Sequence, residues 1–321
     1  MNYRGNHKEN ASPRIAVLCG PTGVGKTKVA LEIAGSLNAE IVSADSMQVY
    51  RYMDIGTAKP SAHELERIQH HLINVIDPDE PFDVQHFMRM SHHIISRLVN
   101  RNIPVLVVGG TGLYIRVLIH GLFDSVRADP EVRARIKEEA LLKGSDGLYR
   151  RLLDCDPKAA SRIHPHDTYR IIRAIEVYET TGQNISDYHQ KHQFENSFFD
   201  SLIIGLYRER EVLYTRINSR VDMMIQDGLA NEVNTLLDKG YASTIKPMQS
   251  IGYRHMGDYL AGRLSWDKAI QTLKQDTRRY AKRQLTWFNS DSQLEWIDAD
   301  HLDEVYKRIK AFLQPSQFTI D

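Results

Sequence analysis

One junction constrains this chain more than any other: "RIAVLC", Arg14 to Cys19, runs directly into "GPTGVGKT", Gly20 to Thr27. A short apolar run that stops at Gly and Pro reads as a buried parallel strand. The segment after it, "KTKVALEIAGSLN", has helix-forming composition and ends at Asn38. The pattern G-x-x-x-x-G-K-[ST] between a strand and a helix is a phosphate cradle. Its glycines let backbone N–H groups converge on phosphate oxygens, and the helix N-terminus adds a partial positive charge. Gly20, Pro21, Thr22, Gly23, Val24, Gly25, Lys26 and Thr27 are therefore the expected phosphate-binding residues. Lys26 is expected to reach the outer phosphate and the Thr27 hydroxyl to hold Mg²⁺. A glycine-rich turn that binds nothing is the alternative, and it leaves the strand context, the lysine and the threonine unexplained.

Further strands extend the pattern. "AEIVSADS" reads as a second strand and "NIPVLVVGGTG" as a third. Between them, "DVQHFMRMSHHIISRLVN" has apolar residues at helical spacing, with Asp83 as N-cap. Strand and helix in alternation imply right-handed crossovers and a parallel sheet covered on both faces. The character changes near Arg127. "ADPEVRARIKEEALLKG" reads as a helix capped by Asp129 with Pro130 in its first turn, running to Gly144. "HPHDTYRIIRAIEVYETTG" reads as another, from about Asp167 to Gly182. The sheet pattern resumes at "FDSLIIGLYRE", and helical segments dominate to about Asn289. The expected architecture is an α/β, P-loop NTPase-like parallel-sheet core with C-terminal helices (1–126 and 198–321) and an α-helical insertion (127–197).

Composition excludes more than it selects. Lys plus Arg and Asp plus Glu each total 41, so net charge names no partner and local clustering must do so. The two cysteines, Cys19 and Cys155, lack metal-ligand spacing and suit a reducing cytosol. The first dozen residues are polar and expected to be loose, without the apolar stretch of a secretory signal. No apolar run approaches the roughly 18 residues of a membrane helix. A cytoplasmic, monomeric protein is expected. The pairs His70-His71 and His92-His93 point apart if helical and are read as surface or core histidines, not as a metal site.

A carboxylate is missing where one is expected. P-loop NTPases pair the cradle with a strand ending in Asp that helps to hold Mg²⁺, yet the third strand here ends Gly109-Gly110-Thr111. The nearest acid is Asp45, closing the second strand in "SADSMQVY". At the carboxyl edge of the sheet it would face the same crevice as the loop, as metal partner or general base. A turn-forming Asx role suits "ADS" as well.

With these features, "SADSMQVYRYMDIGTAKP", "VVGGTGLYIRVLIHGL", "DPEVRARI", "QSIGYRHMGDYL" and "DTRRYAKRQLTWF" carry a resemblance to the tRNA dimethylallyltransferases, also called tRNA isopentenyltransferases. It runs in order from about Arg14 to Phe288. The tail beyond Ser290 lacks the Cys/His finger that eukaryotic members tend to carry, so the likeness is to the bacterial type. The resemblance implies transfer of a dimethylallyl group from dimethylallyl diphosphate to N6 of the adenine 3′ of the tRNA anticodon. The loop would then grip the diphosphate of a prenyl donor. The resemblance makes Asp45 the base, places Thr111 beside the reacting atoms and brings Arg220 to the leaving diphosphate. For Arg220 a solvated helix face is the rival reading, because Arg216 lies one turn away; for Thr111 it is a helix cap.

The same resemblance assigns tRNA contacts to Asp45, Ser46, Met47 and Gln48, to Arg133, and to Tyr169, Arg170, Ile171, Ile172 and Arg173. It adds Gln249, Ser250, Ile251, Gly252, Tyr253 and Arg254. The visibly basic stripe "RRYAKRQLTWF" adds Arg279 and Arg283, with Tyr280 and Trp287 interleaved, a pattern suited to a single-stranded loop. Two rivals stand: an adenylate isopentenyltransferase acting on free AMP or ADP, and a small-molecule P-loop kinase. The missing Asp on the third strand speaks against the kinase.

Overall fold

Five consecutive residues, Ile15 to Cys19, are each 0% exposed, because β1 (Arg14–Cys19) runs through the middle of the molecule's sheet. Its side chains alternate between two cores: Ile15, Val17 and Cys19 feed one face, Ala16 and Leu18 the other. That two-sided burial is why the run is continuously apolar. The computed structural model describes residues 12–122, 129–192 and 197–314. Residues 1–11, within the opening stretch expected to be loose, and the expected insertion boundary at Arg127 lie outside the described residues.

The loop after β1 leads into α1 (Lys26–Leu37), which buries Val29, Ile33 and Leu37 and ends where Asn38 turns left-handed at φ 51. Each such aliphatic burial contributes about 1.5–3 kcal/mol. Then come β2 (Glu40–Ser43), α2 (Ala62–Arg67), β3 (His70–His71), α3 (Val84–Asn100), β4 (Val105–Gly109) and α4 (Gly112–His120). Asp83 caps α3 by accepting from the Gln85 and His86 amides. After the insertion follow β5 (Asp200–Tyr207), α9 (Arg210–Gln226), α10 (Leu229–Asp238), a 3₁₀ turn at Pro247–Gln249, α11 (Tyr253–Leu260), α12 (Trp266–Phe288), β6 (Leu294–Asp298) and α13 (Leu302–Leu313). Among the described residues the sheet has six strands, all parallel, in the order β3-β2-β4-β1-β5-β6. This is an α/β fold of the P-loop NTPase kind.

Two edge strands depart from the sequence reading. His70 and His71 lie on the two-residue strand β3, not on a helix, and His71 Nε2 meets Glu40 Oε2 at 2.6 Å. Beyond Asn289 the chain adds β6, which pairs with β5 in parallel, and then α13. Charged residues interrupt "LEWID", so its apolar pattern is too short to read as a strand.

The chain divides into two compact units, Met1–Ile119 with Phe198–Asp321, and His120–Ser197. The second is helical: α5 (Pro130–Cys155), α6 (Pro157–Ala160), α7 (Thr168–Thr181) and α8 (Ile185–His192). Asp129 caps α5, and Gly144, at φ 68 and ψ 179, breaks it into two helical stretches. Its core joins Ile136, Leu148 and Leu152 of α5 to Ile171 and Ile175 of α7.

Candidate active site

The phosphate loop is held by its outside and left open on its inside. Gly20 adopts φ 139 and packs so closely on β5 that an added Cβ would lie 2.6 Å from the Leu206 carbonyl oxygen. Arg216 Nε donates to the Gly23 carbonyl and Arg208 Nε to the Val24 carbonyl, both at 2.9 Å. Asp300 in turn holds Arg208 through both carboxylate oxygens. Gly25, at φ 114, is the N-cap of α1, and no side chain caps that helix. The first helical amides are therefore free for an anion. Lys26 Nζ lies across the loop, donating to the Gly20 and Pro21 carbonyls at 2.8 Å each. Burial, with the nearby Arg220 charge, lowers the Lys26 ammonium from 10.5 to about 8, while Asp45 opposes the change.

Glycine at the end of β4 replaces the usual acid for a steric reason. A Cβ on Gly109 would lie 2.2 Å from the Ala44 carbonyl oxygen, so only glycine lets the ends of β2 and β4 come together. That approach sets Thr111 beside Ser46, whose amide donates to the Thr111 hydroxyl at 3.2 Å. Asp45 Oδ1 accepts from the Met47 amide at 2.8 Å and the Gln48 amide at 3.3 Å. Asp45 is thus a turn former through one oxygen, and the second oxygen has no part in that turn.

Two hollows meet at this point. One, of about 580 Å³, is lined by Thr22, Lys26, Thr27, Glu64 and Gly110 among others. Its neighbour, of about 330 Å³, has a more apolar wall of Met47, Val221, Met224, Ile251 and Leu273. Thr22, Asp45, Thr57, Arg220 and Tyr280 line both. A third hollow, of about 630 Å³, spans Asp300 to Arg308 on the charged outer side of α13 and contains no loop residue. Of these hollows among the described residues, the joined pair combines a phosphate cradle, a carboxylate and an apolar wall, which makes it the candidate active site. Burial lowers the Arg220 pKa against the pull of Asp45, and it raises that of the Tyr280 phenol with help from Asp45.

Thr27 is exposed at the mouth of the larger hollow, where Asp45 and Glu64 supply carboxylates. No group of three or more His, Cys, Asp or Glu gathers as a metal site among the described residues. Such a sparse set of hard oxygen donors fits Mg²⁺ held chiefly by substrate phosphates and water.

Anchors that sequence reading missed position these walls. Glu232 on α10 accepts from the amides of Asp54, Ile55 and Gly56 at 2.9, 2.7 and 3.1 Å. It also accepts from the Tyr253 hydroxyl at 2.5 Å. This ties the Gly56–Thr57 wall to the helices behind it. Arg208, Arg216 and Gln284 act likewise on the loop. All are side chains bonded to distant backbone, a relation no local pattern reveals.

The expected tRNA contacts scatter in their surroundings. Ser46, Met47, Gln249, Ser250, Ile251, Gly252 and Arg283 line the more apolar hollow. Gln48 turns inward, accepting from the Ser43 hydroxyl and donating to the Thr57 and Ala58 carbonyls. Tyr253 is 1% exposed and serves Glu232, so its phenol offers no surface to an RNA. Arg254 and Arg279 both pair with Asp276, at 2.8 and 3.2 Å. Within the helical unit, Ile171 and Ile172 belong to the core, whereas Tyr169 is 74% exposed and Arg170 is exposed beside Asp167. Arg133 and Arg173 each reach the same oxygen of Glu176 at 3.0 Å, and that carboxylate is 1% exposed.

Similarity to known proteins agrees with this chemistry. Residues 48–291 match the family model described as IPP transferase, and residues 13–77 one described as isopentenyl transferase. The chain is 50% identical over 303 residues to a tRNA dimethylallyltransferase of Desulfosudis oleivorans, covering 94% of this chain and 96% of that one. It is 48% identical to tRNA dimethylallyltransferase 1 of Syntrophotalea carbinolica over 94% and 96% of the two chains. Among solved structures, a tRNA isopentenylpyrophosphate transferase from Bacillus halodurans superposes with a TM-score of 0.70 at 40% identity, over 94% and 96% of the two chains. A eukaryotic dimethylallyltransferase solved acting on tRNA gives 0.78 at 30% identity, over 94% of this chain and 78% of that one.

Proposed function

This chain belongs to the tRNA dimethylallyltransferase family, and from that premise we propose that it prenylates N6 of the adenosine immediately 3′ of the tRNA anticodon. Its donor is dimethylallyl diphosphate. The observation that carries this reading is the joined cavity: a phosphate cradle opens into an apolar-walled space, and Asp45, Arg220 and Tyr280 stand where the two meet.

The diphosphate lies on the loop amides and the α1 N-terminus, with Lys26 and Arg220 facing the charge that grows as it leaves. Breaking the allylic carbon–oxygen bond sends its electron pair to the pyrophosphate, and the adenine nitrogen forms the new carbon–nitrogen bond. Adenine N6 is a weak nucleophile because its lone pair is conjugated into the ring. The Asp45 carboxylate takes the N6 proton as attack proceeds. Thr111, beside Ser46, donates to the bridging oxygen. Thr27, with the nearby carboxylates, would hold Mg²⁺, which supplies further positive charge to the departing pyrophosphate.

The acceptor enters as a base flipped out of the anticodon loop. Arg283 over the Tyr280 ring, with the guanidinium 5.7 Å from its centroid, is a surface for an unstacked nucleotide. The exposed Tyr169 and Arg170 of the helical unit are further RNA contacts. No helix among the described residues is long and apolar enough to cross a membrane. The reading is of a protein that acts on tRNA in the cytoplasm as a single chain.

Labelled dimethylallyl diphosphate offered with unmodified tRNA or with free AMP tests the acceptor. Label in tRNA alone is the expected result. Comparable transfer to AMP would replace this reading with that of an adenylate isopentenyltransferase.

A further inference from the structure

Helix α12 sends one buried polar side chain into the space between the phosphate loop and the end of β4. Gln284 is 6% exposed. Its Oε1 accepts from the Thr22 amide at 2.9 Å, and its Nε2 donates to the Gly110 carbonyl at 2.9 Å. These contacts join residues 262 and 174 positions away in the chain. Room for the amide exists because residue 110 has no side chain: a Cβ there would lie 2.3 Å from Gln284 Nε2. A buried amide is costly unless both its ends are bonded, and here both are. A carboxylate of the same length lacks the donor, and methionine lacks donor and acceptor alike.

The two partners belong to different halves of the reaction. Thr22 is part of the loop that would carry the leaving diphosphate, whereas Gly110 precedes Thr111. We propose that Gln284 is a positioning residue for prenyl transfer. It holds the loop and the β4 end in register, so that the leaving oxygen meets Thr111 and Asp45 at reacting distance. The inference rests on the reaction proposed above. It follows from geometry that small misplacements of reacting groups cost large factors in rate. Gln284 also follows Tyr280 by one helical turn and adjoins Arg283, so the helix that faces the acceptor space is the one that braces the donor loop.

Two variants test this. Gln284→Met keeps the length and removes both hydrogen bonds; Gly110→Ala leaves Gln284 in place and pushes its amide away. Both are assayed for kcat and for donor KM at saturating tRNA, per folded protein, together with Tm and calorimetric affinity for pyrophosphate. The expected result for each is a rise in donor KM and a fall in kcat, each of about tenfold, with the tRNA KM within twofold of the parent. The double variant should be no worse than the poorer single one, because both act through one contact. Donor KM and kcat within twofold of the parent, with only Tm lowered, would reduce Gln284 to packing and overturn the proposal. Should Gln284→Met not fold, Gly110→Ala decides by the same criteria. A parent protein inactive with donor and tRNA would refute the proposed reaction; pyrophosphate affinity still judges Gln284, and an affinity unchanged in the variants overturns its role.

Discussion

Raising the pH should disarm the phosphate loop through one residue. Lys26 lies among desolvating neighbours and close to Arg220, and its pKa falls from 10.5 to about 8. A diphosphate binds the charged form, so kcat/KM for the donor follows the protonated fraction in the free enzyme. One pH unit above the midpoint about a tenth of the lysine remains charged, which gives a fall of about tenfold between pH 7 and pH 9. Once bound, the diphosphate raises the ammonium pKa again, so kcat should stay nearly level over the same range. Initial rates at saturating tRNA across pH 6 to 10 measure both. Lys26→Arg keeps its charge throughout and should lose the alkaline fall, whatever its absolute rate. An equal fall in that variant, or none in the parent, would refute the assignment. The linkage also has a sign for stability without donor. Between about pH 8 and 10.5 the unfolded chain holds a proton that the folded chain has lost, so this group makes folding more favourable as pH rises through that window.

Asp45→Asn should lower kcat by about 100-fold with tRNA affinity largely kept, read by single-turnover rates and a binding titration; full activity would remove Asp45 as the base. Glu232→Ala strands three amides and the Tyr253 hydroxyl, and should cost about 2–4 kcal/mol in urea unfolding. A change below about 0.5 kcal/mol would mean that solvent replaces the clasp. Arg283→Glu should weaken tRNA binding and flatten its salt dependence, since Arg283 lines the cavity. The same slope as the parent would make that arginine ordinary surface. Arg279→Glu should do less, because Arg279 already pairs with Asp276.

Where chemistry lies in contiguous residues, the sequence was legible. The loop, its lysine and its glycines read as a candidate phosphate site because one strand–turn–helix contains every part of it. Asp45 could be singled out as an acid at a strand end, since parallel strands deliver such residues to one edge; Thr111 was singled out by the family resemblance. The caps at Asp83 and Asp129, the helix start near Asp167 and the stops at Asn38 and Gly182 were readable for the same local reason. Gln284, Glu232, Arg208 and Arg216 were not, because their partners are backbone groups of remote segments. Nothing in "AKRQLTWF" distinguishes a glutamine facing solvent from one that braces a loop. The paired hold of Arg133 and Arg173 on Glu176 has only a faint trace, the i,i+3 spacing of Arg173 and Glu176. Inward-facing Tyr253 shows that a motif can match along its whole length while its residues divide between surface and support.

On the proposed reaction, this P-loop grips the diphosphate of a five-carbon donor rather than a nucleoside triphosphate. The direct test is mass spectrometry of nucleosides from unmodified tRNA incubated with the protein, Mg²⁺ and dimethylallyl diphosphate, beside an identical incubation with ATP. The first should yield N6-dimethylallyladenosine with release of pyrophosphate, and the second neither modified nucleoside nor ADP. Brisk ATP consumption with unaltered tRNA in both would contradict it.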